Sequence, residues 1–482
     1  MVDAPVLTRH KLARFEAPEY GVITIGFLIM AQASPPLKTA KFVTGSTMRH
    51  VIVMTASSTA GLIAIFIVDF INLYFLSLLN QIEVTAAVGY AGSILFFTIS
   101  IGIGLSIAAA ALISPAIGRL DWPTAERLTV NVSIFTAVAT AALSAIVWWF
   151  TPDLLTTFGA TGRTHELARN YLWILIPSTP VLALGMCGAA VLRSLGDARR
   201  AMYVTLFGAI AAAILDPLFI FALDLGIEGA AIASVLARFV ILGAAIYGVV
   251  FVHRLVRSYK VEQFHKDMTA TASIAIPAIL TNVATPVANA YVTSAMAPFG
   301  DGAVAAWAII GRVLPVAFAG VFALTGAIGP IIGQNLGAGS LPRVRQSLTD
   351  ALIFTFCYSM AAWAALAIFH GELSALFNVS GETAGLIRFF CLWITPLFTF
   401  LGAQFIANAV FNNLGRPQFS TVLNWGRATL GTVPFVALGA MQYGAPGVIA
   451  GNMAGGLIFG ILSIALCYRY ITKIENRSMI KP

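Results

Sequence analysis

The chain has 482 residues, of which 59% are hydrophobic and only 10% charged, with a formal net charge of +8. At a mean hydropathy of +0.88 there are too few charges to clothe a water-soluble shell, in which roughly a quarter of residues would be charged; a soluble fold is excluded. The excess of basic residues lies between apolar runs, so it reads as a membrane-topology signal and leaves no nucleic-acid partner.

Residues 1–46 are expected to form an N-terminal cytoplasmic extension, amphipathic or disordered. Within it, 21–33 ends in Ala31-Gln32-Ala33 and resembles a signal-peptide core with its cleavage site, against which Glu16 and Glu19 argue. Twelve apolar runs follow, each near the roughly 20 residues that cross a bilayer as a helix. They are placed at 51–79, 86–112, 127–150, 167–193, 200–223, 229–252, 270–297, 303–333, 346–369, 384–411, 419–440 and 446–470. The runs are continuous and lack the alternation of barrel strands, so helices are predicted. The fold class is an all-α membrane protein of two six-helix lobes: an N-lobe at 47–253, a linker at 254–267, a C-lobe at 268–472 and a cytoplasmic tail at 473–482. Pro177, Pro180, Pro217, Pro277, Pro286, Pro315, Pro396 and Pro434 fall inside runs and predict bends.

One set of loops, with the two ends of the chain, holds 22 of the 28 basic residues; the opposite loops hold only Arg163 and Arg169. By the positive-inside rule both termini are cytoplasmic, in a bacterial inner membrane. Cys187, Cys357, Cys391 and Cys467 sit in apolar stretches without metal or disulfide spacing and read as small packing residues.

The two halves repeat. Ile113-Ser-Pro115-Ala-Ile117-Gly118 returns as Ile328-Gly-Pro330-Ile-Ile332-Gly333, 215 residues on. Leu154, Phe158 and Gly162 return at an offset of 219 as Leu373, Phe377 and Gly381, and Gly226 and Gly229 at 218 as Gly444 and Gly447. An even number of spans per repeat gives both halves one orientation.

A carboxylate in hydrocarbon is expensive and is a functional candidate by default. Of 20 acids, only Asp69 and Asp216 lie deep in a span. At 1.5 Å per residue they stand at about 27 and 24 Å from the basic side, and Ser234 reaches a comparable depth from the other. Through the repeat Asp69 projects on Ala284, Asp216 on Val433 and Ser234 on Asn452, so the carboxylates are not duplicated. Two acids at one depth would take up H⁺, or Na⁺ with Ser234 and backbone carbonyls as further ligands. The alternative is an ion pair with an intramembrane arginine such as Arg238. Asn72, Asn282, Thr285, Asn289 and Tyr291 are candidates for a substrate cavity or, equally, polar contacts between helices. Gly333 to Gly339 lacks the strand and lysine of a phosphate loop, and no HExxH, CxxC, Walker pair or aspartate-rich diphosphate motif is present.

The chain resembles the multidrug and toxic compound extrusion (MATE) family over roughly residues 48–475. The resemblance is carried by Phe66-Ile-Val-Asp69, Ala190-Val-Leu-Arg-Ser-Leu-Gly-Asp197, Leu215-Asp216-Pro217-Leu-Phe219, Gly226-Ile-Glu-Gly-Ala-Ala-Ile-Ala-Ser234, Gly333-Gln-Asn-Leu-Gly-Ala338 and Asn413-Leu-Gly-Arg-Pro417. It implies a V-shaped monomeric antiporter, without cofactor and not an enzyme, exporting small organic, often cationic, amphipathic compounds in exchange for H⁺ or Na⁺. It also implies that Asp69, Asp216 and Ser234 couple the ion. Ala212 stands where such sites often carry Asn, which favours H⁺, and the family's helix-7 glutamate is missing near Thr285. Two rivals stand beside this reading. A lipid-linked-precursor flippase of the same superfamily would use Arg238, Arg312, Arg388 and Arg427. An intramembrane enzyme would use the aspartates as acid and base.

Overall fold

The computed structural model describes residues 38–78, 81–256 and 263–480. The signal-like stretch at 21–33 and the rest of the extension before residue 38 lie outside the described residues. So do the end of the first expected span at 79, linker positions 257–262 and tail positions 481–482. The described residues are helical, without a strand. In chain order the long elements are α1 (Thr47–Ser77), α2 (Ile82–Gly118), α3 (Trp122–Trp149), α4 (Gly162–Ser194), α5 (Ala198–Ala222) and α6 (Gly226–Val252). The second half gives α7 (Phe264–Phe299), α8 in two pieces (Asp301–Ala317 and Ala319–Gly337), α9 (Leu341–Ile368) and α10 (Gly381–Asn413).

The remainder, α11 (417–443) and α12 (445–480), is one stretch that doubles back at Gly444, whose backbone is left-handed (φ 64°). Length and hydropathy alone give eleven candidate spans, because the last, Pro417–Arg477, contains both arms of this hairpin in 61 residues. The arms touch backbone to backbone: a Cβ on Gly447 would lie 2.0 Å from the Gly439 carbonyl oxygen, and one on Gly455 2.0 Å from that of Gly431. Only glycine permits this approach. The break in α8 follows Pro315, where the ring removes a backbone donor.

The repeat is more regular than the sequence motifs suggest. The α2 pair begins at Ile82 and Asp301 and the α3 pair at Trp122 and Leu341. Short helices stand at Thr151–Thr157 and His370–Leu376, and 3₁₀ turns interrupt α4 and α10 at Ile176–Ser178 and Thr395–Leu397. Each of these pairs is offset by 219. The motif match at 215 is therefore corrected: it is out of register by four residues, about one helical turn, because the same small-residue face recurs each turn. In the corrected register Gly118 answers to Gly337 and Pro115 to Gln334.

That register exposes how the lobes meet. A Cβ on Gly118 would come within 2.1 Å of the Gln334 carbonyl oxygen, and one on Gly337 within 2.1 Å of that of Pro115. The α2–α8 crossing is thus a symmetric pair of backbone contacts at the basic end of the molecule. A strap seals it. Phe42 N donates to Gln334 Oε1 (2.9 Å), while Gln334 Nε2 reaches Ser194 O in the N-lobe (2.6 Å). Arg343 Nη2 and Asn335 Nδ2 both donate to Phe42 O, at 2.9 and 3.2 Å. Thr47 donates to Asp350 of α9, and Lys38 pairs with Glu126 of α3 at 2.5 Å. Large apolar side chains such as Ile214, Val422 and Leu430 remain uncovered on the flanks, as a lipid-facing surface requires.

Asp197 caps α5, accepting from Arg200 N (3.1 Å), Arg200 Nη1 (2.6 Å) and His253 Nε2 at the end of α6 (2.8 Å). Burial alone would raise its pKa; the hydrogen bonds from His253 and Arg200 override that and hold it well below the usual carboxylate range.

Three substitutions have expected outcomes. Gly337→Ala should destabilise the protein by about 1–3 kcal/mol through overpacking against backbone, read as a lower melting temperature in detergent. Gly92→Ala, with nothing within 4 Å of the added Cβ, should be neutral or mildly stabilising. Asp197→Ala should cost about 1–2 kcal/mol at neutral pH. Because the folded carboxyl is depressed, that difference should be complete above pH ~4, the ordinary carboxylate value, and shrink as pH falls below it. A mutant deficit that stayed constant down to pH 2 would contradict the assignment.

Candidate functional site

The first and fifth helices of the N-lobe pack together; α1 carries Asp69, and Asp216 of α5 meets Asn72 of α1 across the contact. Asp216 sits where α5 leaves regular geometry: Pro217 follows it, and Leu218–Ala222 form a π-turn. Such widened turns recur at functional positions because they re-aim side chains at the expense of good hydrogen bonds. Asp216 is 1% exposed. Asn72 of α1 donates through Nδ2 to Asp216 Oδ2 at 2.8 Å, and Asp216 Oδ1 is buried with no partner among the described residues.

Asp69, nearly one turn before Asn72, is left uncovered and makes no hydrogen bond among the described residues, while the charge on Asp216 acts on it. The two carboxyl groups therefore share a locality but differ in kind: one enclosed and half-satisfied, the other open. Tyr171 of α4, 7% exposed, brings its hydroxyl beside Ser234 of α6, within reach of the charges on Asp69, Asp216 and Arg238.

The alternative of an Asp–Arg238 ion pair is not what the structure holds. Arg238, also buried, directs Nη1 to Leu175 O (3.0 Å) and Ser178 Oγ (2.8 Å), the bent part of α4. The freed carbonyl of a 3₁₀ kink is a natural acceptor for it. No ion pair involves Asp69 or Asp216 among the described residues.

The remaining candidates separate. Asn72 belongs with the carboxylates. Asn282 Nδ2 bonds its own helix at Ala278 O (2.8 Å), and Asn289 is exposed. Thr285 accepts from Arg427 Nη2 of α11 (3.3 Å), and Tyr291 donates to Val433 O (3.3 Å). Arg312 and Arg388 are exposed, whereas Arg427 is buried. Among the described residues no group of three His, Cys, Asp or Glu side chains could hold a metal ion. Tyr171 and Ser178 escaped the sequence reading because a lone aromatic or hydroxyl in an apolar helix carries no spacing signal.

Two lobes of helices long and apolar enough to cross a membrane define a polytopic membrane protein, and the family it matches is one of transporters and not enzymes. The MatE family model matches residues 47–218 and 277–438, and the chain belongs to this family. A Shewanella oneidensis protein named FAD transporter is 29% identical over 428 residues, spanning 88% of this chain and 94% of its own. Multidrug export protein MepA of Staphylococcus aureus is 23% identical over 359 residues, 72% of this chain and 74% of its own. Among solved structures, a mutant of the Vibrio cholerae MATE transporter VcmN superposes with a TM-score of 0.85 at 27% identity, covering 89% of this chain and 98% of that one.

Asn72→Ala strips Asp216 Oδ2 of its donor and should destabilise the protein by about 1–3 kcal/mol. Thermal unfolding in detergent reads the loss. An unchanged midpoint would mean that the bond contributes nothing to holding α1 on α5.

Proposed function

We propose that this protein is a proton-coupled antiporter that exports small organic amphipathic compounds from the cytoplasm across the bacterial inner membrane, with Asp69 and Asp216 as the coupling groups. The observation that carries the reading is the unpartnered Oδ1 of Asp216, fully enclosed at mid-depth beside a second carboxyl. An isolated carboxylate in that setting is unfavourable; a proton relieves it, and so does a cation. Na⁺, like other hard cations, is held by a shell of several oxygens. Here Asn72 presents its amide nitrogen, Ser234 lies beside Tyr171 and position 212 is Ala, so H⁺ is the better fit.

The sequence of events follows from the packing. With the basic, cytoplasmic end sealed by the α2–α8 crossing and the strap, protons reach open Asp69 and then Asp216 from outside. Neutral Asp216 no longer requires its Asn72 donor, so α1 is free to shift against α5. The substrate leaves outward as that packing changes, and the lobes rock to release protons inward. Binding that favours one packing over another is all that coupling needs.

The substrate is read as an organic cation, as in the drug exporters of the family. A second reading, an anionic phosphate-bearing compound, is favoured by the Shewanella relative's name and by the buried cation at Arg427.

The test is uptake of a fluorescent organic cation, and separately of FAD, into inverted vesicles under an imposed pH or Na⁺ gradient. The pH gradient should drive transport and the Na⁺ gradient should not. Asp69→Asn and Asp216→Asn should each reduce the driven rate at least tenfold with expression intact. Full gradient-driven transport by Asp69→Asn would refute the coupling role.

A further inference from the structure

The contact between α7 and α11 is the C-lobe's counterpart of the α1–α5 contact, and it holds the opposite charge. Arg427 lies ten residues into α11, a climb of about 15 Å, and is 5% exposed. Its Nη2 donates to Thr285 Oγ1 at 3.3 Å, and among the described residues its Nε is buried without an acceptor and no carboxylate pairs with it. Arg238, by contrast, has both a carbonyl and a hydroxyl on Nη1.

The side chains next to it are small. Ala284 and Ala288 of α7 pack with Ala428, the residue after Arg427. In the N-lobe Arg427 answers to Gly208, where a Cβ would already strike Ile241 at 2.2 Å. The backbone also departs from α geometry here: Arg427–Gly431 is a π-turn, and Thr432 Oγ1 donates to the Arg427 carbonyl at 2.9 Å. Equivalent helix pairs thus present an unmatched carboxylate oxygen in one lobe and an unmatched guanidinium nitrogen in the other.

A guanidinium cannot shed its proton to escape burial, and its planar fork fits the two oxygens of a phosphate or carboxylate. We propose that Arg427 and Thr285 form an anion subsite between α7 and α11 that takes a phosphate or diphosphate group of the transported compound. The subsite rests on the second, phosphate-bearing substrate reading. The same chemistry is offered by a soluble nucleotide and by a lipid-linked diphosphate.

Inorganic pyrophosphate is titrated calorimetrically into the purified full chain in phosphatidylcholine nanodiscs. FAD and riboflavin binding are followed by flavin fluorescence. Pyrophosphate should bind wild type, at least tenfold more weakly Arg427→Gln, and to an intermediate degree Arg427→Lys. Thr285→Val, a gentler change, should weaken it several-fold. FAD should bind at least tenfold more tightly than riboflavin, and Arg427→Gln should erase that difference without altering riboflavin binding. Displacement of pyrophosphate by a polyprenyl diphosphate, but not by FAD, would keep the subsite and assign it to a lipid-linked ligand. Equal pyrophosphate affinity in wild type and Arg427→Gln, or no binding by wild type, would overturn the subsite. FAD binding without FAD uptake by vesicles would leave the subsite standing and remove the reading that FAD is exported.

Discussion

Hydrocarbon offers a charge nothing to bind, and two buried ionisable groups of the N-lobe meet that constraint differently. Arg238 is satisfied by the bend in α4, whose displaced carbonyl and Ser178 hydroxyl take its Nη1 protons. Asp216 is satisfied on one oxygen by Asn72 and on the other by nothing. The difference separates a cation that pins two helices from a carboxyl that has something left to bind. The bent α4, the proline after Asp216 and the π-turn beyond it are local departures from ideal helix that serve this distribution.

The second organising element is the contact between lobes. Helices packed through side chains stand 8–10 Å apart, but Gly118 and Gly337 bring α2 and α8 together backbone against backbone. Such a contact is made or lost as a whole, because a small displacement already forfeits much of its dispersion energy. The strap from Lys38 to Thr47 adds hydrogen bonds that likewise depend on both lobes being in place. A seal of this kind suits a molecule with two discrete arrangements, since packed interfaces switch and do not stretch.

Duplication explains why the two lobes look alike and charge explains why they differ. The backbone follows a single offset of 219 from α2 through the start of α5, down to the 3₁₀ turns of α4 and α10. On that shared scaffold the contact between first and fifth helices is acidic in the N-lobe and basic in the C-lobe. With the coupling role proposed for Asp69 and Asp216 and the anion subsite proposed at Arg427, substrate and coupling ion are addressed by separate lobes without a separate fold for each.

The sequence by itself determined the spans, the two-fold repeat and the identity of the deep carboxylates. Hydropathy over twenty residues and a rare acid within it are signals that no packing can disguise. It also located the prolines that break α4 and α8, whereas Gly444 and Gly447 stood out only as part of the repeat and their hairpin contact belongs to the tertiary structure. It misplaced α2 against α8 by four residues, because a small-residue face recurs with every helical turn and similarity cannot tell one turn from the next. Only the tertiary structure decided that Asn72 serves Asp216, that Arg238 is spent on α4 and that Arg427 is left with an unused donor. A helical sequence fixes which residues share a face; the rotation of each helix about its axis, and so what that face meets, is set by the neighbours packed around it.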